Sequence, residues 1–149
     1  MKYELATAVR RSAVVSLRGP YPASTSDITI FRGGTVEEGE DNWDKDSLYF
    51  KLKSLGVKAV GDSGYEGEPD VVLTSKEGQS KELREFIARV KNREETLHTR
   101  LKSWNILSNR FRHGHGDEKR MELHGNVTAA IVVITQYDFE NGHPLFEVR

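Results

Sequence analysis

Between residues 81 and 104, apolar side chains recur at spacings of three and four, which is the repeat of one face of an α-helix. Ser80, or Gln79 beside it, supplies a polar side chain that can cap the start of this helix. The pattern covers about 25 residues, which is long for a globular helix, so a break near Asn92 is an alternative. The stripe consists of Leu83, Phe86, Ile87, Val90, Leu97, Leu101 and Trp104.

The chain before this helix begins with the patterns of two β-strands. Residues from Tyr3 to Val9 alternate apolar and polar side chains, which predicts a half-buried strand. The β-branched, apolar segment from Ala13 to Leu17 predicts a second strand, and the short connection between them indicates a hairpin. We expect Gly19-Pro20-Tyr21-Pro22 to end the second strand, because proline has no backbone N–H to give to a sheet.

Shorter elements are predicted in the middle of the chain. Four candidate capping residues at 24–27 precede three apolar residues, which predicts a short helix that ends at Gly33-Gly34. Residues 35–46 are acidic and polar and are typical of an exposed loop. Apolar residues at Val57–Val60 and Val71–Leu73 then predict two further strands.

The last third of the chain leaves one element undecided. Residues 108–120 are typical of a basic, glycine-containing loop. The apolar run Val127–Ile134 has the β-branched content of a buried strand and a length that allows a helix, and periodicity does not choose between them. The order of strands and helices predicts an α/β layer architecture.

Composition excludes several classes of protein. The 149 residues suit one domain over positions 1–149, with hydrophobic residues at 36% to supply its core. The chain has no cysteine, so disulfides and cysteine-ligated zinc are excluded. No apolar stretch approaches the ~20 residues of a membrane span, and the first residues lack a secretory signal. We therefore expect a soluble protein of a reducing compartment with no membrane partner.

Charge is unevenly distributed along the chain, although the net charge is only −1. Residues 36–70 hold ten acids and four bases, whereas residues 81–120 hold eleven bases and six acids. A basic segment of this kind is a weak indication of a surface that faces a polyanion. A solvated helix face explains the same charges equally well.

Three acidic positions stand out because of where they lie. Asp62 directly follows a predicted buried strand, at the edge where α/β proteins place their ligands. Asp27 lies at the start of the predicted short helix, and Glu94 and Glu95 lie within the long one. Acids gathered in this way can bind Mg²⁺, because hard cations take oxygen ligands. Simpler roles are a turn residue at 62, a helix cap at 27 and solvated helix residues at 94 and 95.

Other kinds of catalytic site have less support in the residues. His113 and His115 flank a glycine in the basic loop, with His124 further on, but no further zinc ligands accompany them. We therefore expect these histidines to contact phosphate or solvent. The chain has no Gly-x-Ser-x-Gly motif for a nucleophilic serine and no Gly-x-x-x-x-Gly-Lys phosphate-binding loop.

A series of short motifs runs along nearly the whole chain. Each motif is weak by itself, and the specificity lies in their order and spacing. They are Tyr3-Glu4-Leu5-Ala6, Gly19-Pro20-Tyr21-Pro22-Ala23, Asp27-Ile28-Thr29-Ile30-Phe31-Arg32, Gly61-Asp62-Ser63-Gly64-Tyr65, Arg93-Glu94-Glu95-Thr96, Arg100-Leu101-Lys102, Arg110-Phe111-Arg112-His113, Ile134-Thr135-Gln136 and Glu140-Asn141-Gly142-His143-Pro144-Leu145-Phe146. Together they resemble the DDE superfamily endonucleases of the PIF/Harbinger-like group of eukaryotic transposases.

The resemblance implies a ribonuclease-H-like α/β fold, with a mixed sheet flanked by helices, and a catalytic triad of two aspartates and one glutamate. The triad binds a divalent metal, Mg²⁺ or Mn²⁺. Asp62 matches the second aspartate, and Glu95 matches the glutamate in the register given by Leu101-Lys102. Asp27 matches a further acid that is counted with the metal site. Glu94 stands where the family has an apolar residue or histidine, so the choice between 94 and 95 stays open.

The resemblance also implies an activity, a partner and a location. The activity is metal-dependent cleavage and transfer of DNA strands, in a nuclear protein. DNA is therefore the expected partner, and basic side chains would position its phosphates. These side chains are Lys102, Arg110, Arg112 and His113.

One part of the family pattern is missing. The first catalytic aspartate of the family lies on a strand upstream of the one that begins at Tyr3, and no acid here takes its place. We therefore expect a sheet without its first strand, a chain that is inactive as a nuclease alone, and poor solubility or non-cooperative unfolding. Two alternatives stay open: a non-catalytic remnant that binds metal or DNA, and a small domain that binds acidic partners through its basic helix.

Overall fold

The computed structural model describes all 149 residues as a mixed α/β fold, 49% helical with 12% strand in small sheets, so the predicted α/β class is confirmed at this level. No helix combines the length and the apolar content needed to cross a membrane. The strands and α-helices, in chain order, are β1 (Lys2–Thr7), β2 (Val14–Tyr21), α1 (Asp27–Arg32), α2 (Leu48–Leu55), β3 (Ala59–Val60), β4 (Val72–Leu73), α3 (Lys81–Lys102), α4 (Asn105–Ser108) and α5 (Asp117–Glu140).

The chain divides into two compact units. The first unit combines Met1–Pro22 with Asn92–Arg149, and the second unit is Ala23–Lys91. The boundary falls inside α3, which continues without a break from Lys81 to Lys102. The predicted long helix is therefore confirmed, and the alternative of a break near Asn92 is wrong. A single domain over residues 1–149 stays a prediction, because two compact units can belong to one domain.

In the first unit, β1 and β2 form the predicted antiparallel hairpin. The second strand ends at Tyr21, within Gly19-Pro20-Tyr21-Pro22 as predicted, although it continues through Pro20. Between the pairs Lys2–Tyr21 and Glu4–Arg18, two residues of β2 oppose one residue of β1, and this bulge tolerates a proline without an N–H. A side chain at Gly19 would meet Lys2 O at 2.9 Å, which explains the glycine.

The undecided run Val127–Ile134 belongs to a helix, α5. The buried residues of α5 include Thr128, Ile131 and Thr135, which lie at the spacings of one helix face. The packing of this face therefore selects the helix over the strand. This helix begins at Asp117, so the loop predicted over 108–120 ends earlier than expected, at Gly116. The apolar core of the first unit is aliphatic except for one aromatic ring, and it consists of Leu97, Leu101, Ile131, Val132, Phe139 and Leu145.

A buried arginine ties the C-terminal segment, residues 143–149, to the rest of the first unit. Arg93 is 2% exposed and fills the gap in the apolar stripe of α3 between Val90 and Leu97. Its guanidinium donates hydrogen bonds to the Phe146 carbonyl and to Ser12 Oγ. Burial lowers the pKa of Arg93. The segment therefore depends on polar contacts as well as on apolar packing.

In the second unit, α1 begins and ends where capping chemistry predicts. Ser26 Oγ accepts a hydrogen bond from the Thr29 N–H at 3.2 Å, so Ser26 is the N-cap among the candidates at 24–27. Gly33 ends the helix in the left-handed conformation, with φ of 82°. Asp27 is the first residue of the helix, so its simpler role as the cap is wrong.

Sequence patterns missed α2, which occupies Leu48–Leu55 before the short parallel pair of β3 and β4. The predicted strands at 57–60 and 71–73 are confirmed with tighter bounds. The acidic loop at 35–46 contains two turns of 3₁₀-helix, Val36–Glu38 and Glu40–Asn42, and a buried Trp43. This loop is therefore anchored at one end by an aromatic side chain.

Aromatic side chains build the core of the second unit. Phe31 packs edge-to-face against Tyr49 and Tyr65, with ring centroids 6.0 and 5.4 Å apart. Trp43 packs in the same way against Tyr49 at 5.6 Å. Each ring buries a large area, so two short helices and a loop can together enclose a core. The buried residues of this core are Phe31, Trp43, Tyr49, Val71 and Val72.

Candidate functional site

Two of the predicted acids are neighbours in the second unit. Asp62 follows β3 and caps the 3₁₀ turn Ser63–Tyr65, where its Oδ1 accepts the Gly64 N–H at 2.8 Å. The position that a Cβ atom would take on Gly64 lies 3.0 Å from that oxygen and 3.9 Å from Oδ2 of Asp27. Both aspartates are exposed. The turn role proposed for Asp62 is confirmed. The hydrogen bond from Gly64 uses Oδ1 and does not involve the second carboxylate oxygen, Oδ2.

The predicted glutamate lies in the first unit, on the exposed side of α3. The Glu95 side chain is 76% exposed, and its Oε1 lies 3.9 Å from Nδ1 of His98. Glu94 beside it is half-buried. No cluster of three or more His, Asp or Glu side chains in the structure is arranged to hold a metal ion. The metal-ligand roles of Asp27, Asp62 and Glu95 therefore stay predictions.

The predicted phosphate-binding residues lie close together in the sequence of the first unit. Lys102 ends α3, and Arg110, Arg112 and His113 lie in the connection between α4 and α5. All four side chains are exposed. The segment from 102 to 113 contains no acid. Its positive charge is therefore available to an anionic partner.

A pocket of about 510 Å³ opens in the first unit beside this basic segment. Lys102 and Arg110 line it, whereas Arg112 and His113 do not. Arg120 adds a third permanent cation, and no aspartate or glutamate lines the pocket. The apolar part of the lining comes from Leu5, Leu17, Leu101, Leu107, Phe111 and Val132.

The pocket also contains a hydrogen-bonded cluster of Tyr3, His124 and Thr128. The Thr128 hydroxyl donates to the His124 carbonyl at 2.8 Å, and Tyr3 Oη lies 2.5 Å from His124 Nδ1. The two rings stack at 5.5 Å, and Phe111 meets His124 edge-on at 4.9 Å. With the phenol as donor to Nδ1, the ring proton of a neutral His124 resides on Nε2.

Burial sets the protonation of this cluster. Burial lowers the pKa of His124, and the positive charge of the Met1 amino group lowers it further. Burial also raises the pKa of Tyr3, against the opposing effect of its hydrogen bond to Thr128. Both shifts favour neutral side chains near neutral pH. The Tyr3–His124–Thr128 cluster is therefore polar but uncharged, and the cationic side chains of the lining are the lysine and the two arginines.

Sequence patterns do not single out this cluster. They predict only a strand at Tyr3, and they mark His124 only as a histidine beyond the basic loop. The two residues are separated by 121 positions, and no motif connects them. Their proximity depends on how the hairpin packs against α5, for which no local signal exists in the chain.

Comparison with known proteins returns no match to a protein-family model, a curated protein or a solved structure. The structure supports classification of the protein as a mixed α/β fold with small sheets. Membership of the DDE endonucleases therefore stays a hypothesis that rests on the sequence motifs.

Proposed function

We propose that this protein binds DNA through its first unit and belongs to a metal-dependent DNA strand-cleavage domain of the DDE type. The observation that carries the proposal is the acid-free basic segment at 102–113, with exposed Lys102, Arg110, Arg112 and His113. Such a segment attracts a polyanion because each phosphate it contacts releases condensed counterions. Contacts of this kind position DNA without reading its sequence.

Fluorescence anisotropy with a labelled duplex tests DNA binding. We expect weak, sequence-independent affinity that falls steeply as salt increases, because each neutralised phosphate contributes about −0.9 to the logarithmic salt slope. The double variant Lys102→Glu with Arg112→Glu should abolish most of the binding. The matched control, Lys76→Glu with Arg84→Glu, makes the same charge change at exposed positions of the second unit. Equal affinity of the two double variants would contradict the proposed surface.

The metal part of the proposal is supported by the proximity of Asp27 and Asp62 at Gly64. Carboxylate oxygens are the ligands that Mg²⁺ and Mn²⁺ take in proteins, and both side chains are accessible from solvent. The family resemblance implies a glutamate ligand as well, and Glu95 is the residue that matches it. Divalent ions held by such acids supply charge stabilisation for in-line attack on a phosphodiester. The order of a hairpin, a short helix, Asp62 after a strand and a long helix supports the ribonuclease-H-like arrangement.

Paramagnetic Mn²⁺ provides a direct test of the metal site. Substoichiometric Mn²⁺ should broaden the amide NMR signals of residues 27–28 and 62–64 before any others. Asp62→Asn keeps the capping oxygen and removes the charge, so it should abolish the selective broadening without unfolding the turn. The control Asp70→Asn removes an exposed acid elsewhere in the unit. Broadening that follows Asp70 rather than Asp62 would exclude the site.

A plasmid-nicking assay with Mg²⁺ or Mn²⁺ separates strand cleavage from binding alone. Metal-dependent nicking that disappears in Asp62→Asn would support the nuclease proposal. DNA binding without nicking would favour the non-catalytic alternative. Affinity for acidic protein partners, together with no affinity for DNA, would favour the interaction domain instead.

A further inference from the structure

The pocket of the first unit combines a one-signed charge with an apolar interior. Lys102, Arg110 and Arg120 line it, and no carboxylate does. The Arg120 guanidinium contacts Asp117 at 3.0 Å, but that carboxylate is 94% exposed, and solvent screens the pair. Nε of Arg120 is buried and has no hydrogen-bond partner. The protein itself therefore leaves part of the hydrogen-bonding and charge-pairing capacity of these cations unused.

The interior of the pocket differs from its cationic side. The remaining lining is largely apolar, with aliphatic side chains such as Leu17, Leu107 and Val132 beside the aromatic group of Tyr3, Phe111 and His124. Its further polar members are His98, Asn109 and Thr128. With Tyr3 as donor to Nδ1, the N–H of a neutral His124 lies on Nε2 and supplies one uncharged donor. A pocket of about 510 Å³ lies within the range of roughly 300–1,000 Å³ that is typical of small-molecule sites.

We propose that this pocket binds a small amphiphilic anion, such as a medium-chain carboxylate, with its apolar body among the aliphatic side chains and its charged end at Arg110, Arg120 and Lys102. The largely apolar remainder of the lining favours a ligand with one charged end over one that carries charge along its length, because buried charges without partners are costly. The lysine and arginines disfavour a cationic ligand by repulsion. This inference does not rest on DNA binding or on a metal site.

The test compares three ligands with the same ten-carbon chain. Decanoate is the probe, decanol removes the charge and decyltrimethylammonium reverses it. In titrations followed by amide NMR of the full chain, decanoate should saturate and shift signals of Leu17, Leu107 and Phe111. Decanol should bind about tenfold more weakly, because a charge-assisted hydrogen bond is lost. The cationic ligand should not bind measurably.

Two arginines of the same loop provide a matched pair of variants. Arg110 lines the pocket and Arg112 does not, yet both are exposed and carry the same charge. Arg110→Gln should weaken decanoate binding about tenfold, while Arg112→Gln should change it less than about twofold. Leu107→Trp fills the pocket without altering charge, so it should also weaken decanoate binding. Circular dichroism confirms that each variant remains folded.

The outcomes separate this inference from the proposed function. The proposed DNA surface contains both arginines, so both Arg→Gln variants should weaken DNA binding to a similar degree, whereas only Arg110→Gln should weaken decanoate binding. Equal affinity for decanol and decanoate, or equal effects of the two variants on decanoate, would overturn the inference and leave DNA binding untouched.

Discussion

The two units enclose their cores in different ways. The first unit packs aliphatic side chains between long helices, ties its C-terminal segment with a buried arginine and leaves a cation-lined pocket open. The second unit has only short helices before the start of α3, and it closes its core with aromatic rings packed edge-to-face. Short elements present few apolar side chains, so each must bury a large area. The open pocket therefore belongs to the unit with the longer helices.

The largest effect is expected from removing an aromatic ring of the second unit. Phe31 is 1% exposed, so Phe31→Ala should reduce the free energy of unfolding by about 3–5 kcal/mol. Urea unfolding can be followed by the fluorescence of buried Trp43 in a Trp104→Phe background. The control Phe146→Ala removes a ring that is 45% exposed and should cost less than about 1 kcal/mol. Similar losses for both variants would contradict the aromatic core.

A smaller loss is expected from the polar tie of the first unit. Arg93→Met keeps an apolar stem but loses the hydrogen bonds to the Phe146 carbonyl and Ser12, which should cost about 1.5–3 kcal/mol. Amide exchange of residues 143–148 should accelerate at the same time. Arg84→Met, at an exposed position of α3, provides the matched control. An Arg93→Met protein as stable as the unaltered one would show that apolar packing alone holds the segment.

Asp62 should contribute less, because its structural role is one hydrogen bond in an exposed turn. Asp62→Ala should cost about 1 kcal/mol, whereas Asp62→Asn should cost a few tenths, since asparagine caps nearly as well. The measurement is urea unfolding of the second unit through Trp43. If alanine and asparagine have the same effect, the contribution of Asp62 arises from its charge and not from the cap.

The stability of the protein should depend on pH through His124, which lies in the pocket. Because burial lowers the pKa of His124 below its ordinary value of 6.5, the unfolded chain takes up this proton first as pH falls. The contribution of neutral His124 is therefore fully present above pH 6.5 and is lost as pH falls through the lower pKa of the folded state. The ring contacts Tyr3, Phe111 and Thr128, and the Met1 amino group acts on it electrostatically. The other titratable or charged residues that line the same pocket are His98, Lys102, Arg110 and Arg120.

The measurement is thermal unfolding at several pH values between neutral and acid, with NMR of the histidine ring protons. His124→Gln should flatten the acid-side loss of stability, and His115→Gln, at an exposed position outside the pocket, should leave it unchanged. A His124 ring that titrates at or above its ordinary pKa of 6.5 would contradict the assignment. Loss of stability that persists in His124→Gln would place its origin in another group.

Local patterns are sufficient for some elements and fail for others. The hairpin and α1 are predictable because alternation, capping residues and glycines are signals within a few residues of each other. The helix α2 escapes prediction although Gly56 caps it in the left-handed conformation, since its eight residues show too little periodicity to distinguish it from a lead into a strand. Burial of Tyr49 against Phe31 and Trp43 stabilises it.

The candidate site shows the same division. The acids at 27 and 62 and the basic residues at 102–113 can be selected from sequence, because charge and position after a strand are visible there. The pocket and the pairing of Tyr3 with His124 cannot, because they join residues more than one hundred positions apart, 121 for this pair. A sequence lists the chemistry of each side chain, whereas proximity between distant residues requires the packed structure.

The sequence alone determined that the chain forms a hairpin, a capped short helix and one long amphipathic helix, because each is encoded in neighbouring residues. It also determined where positive charge collects. Only tertiary structure decided that Val127–Ile134 is helical. A buried strand and a helix both fit this apolar run, and the burial of Ile131 and Thr135 on one helix face selects the helix. Tertiary structure likewise decided that Arg93 is buried and that His124 is partly shielded from water, because burial depends on what other segments cover.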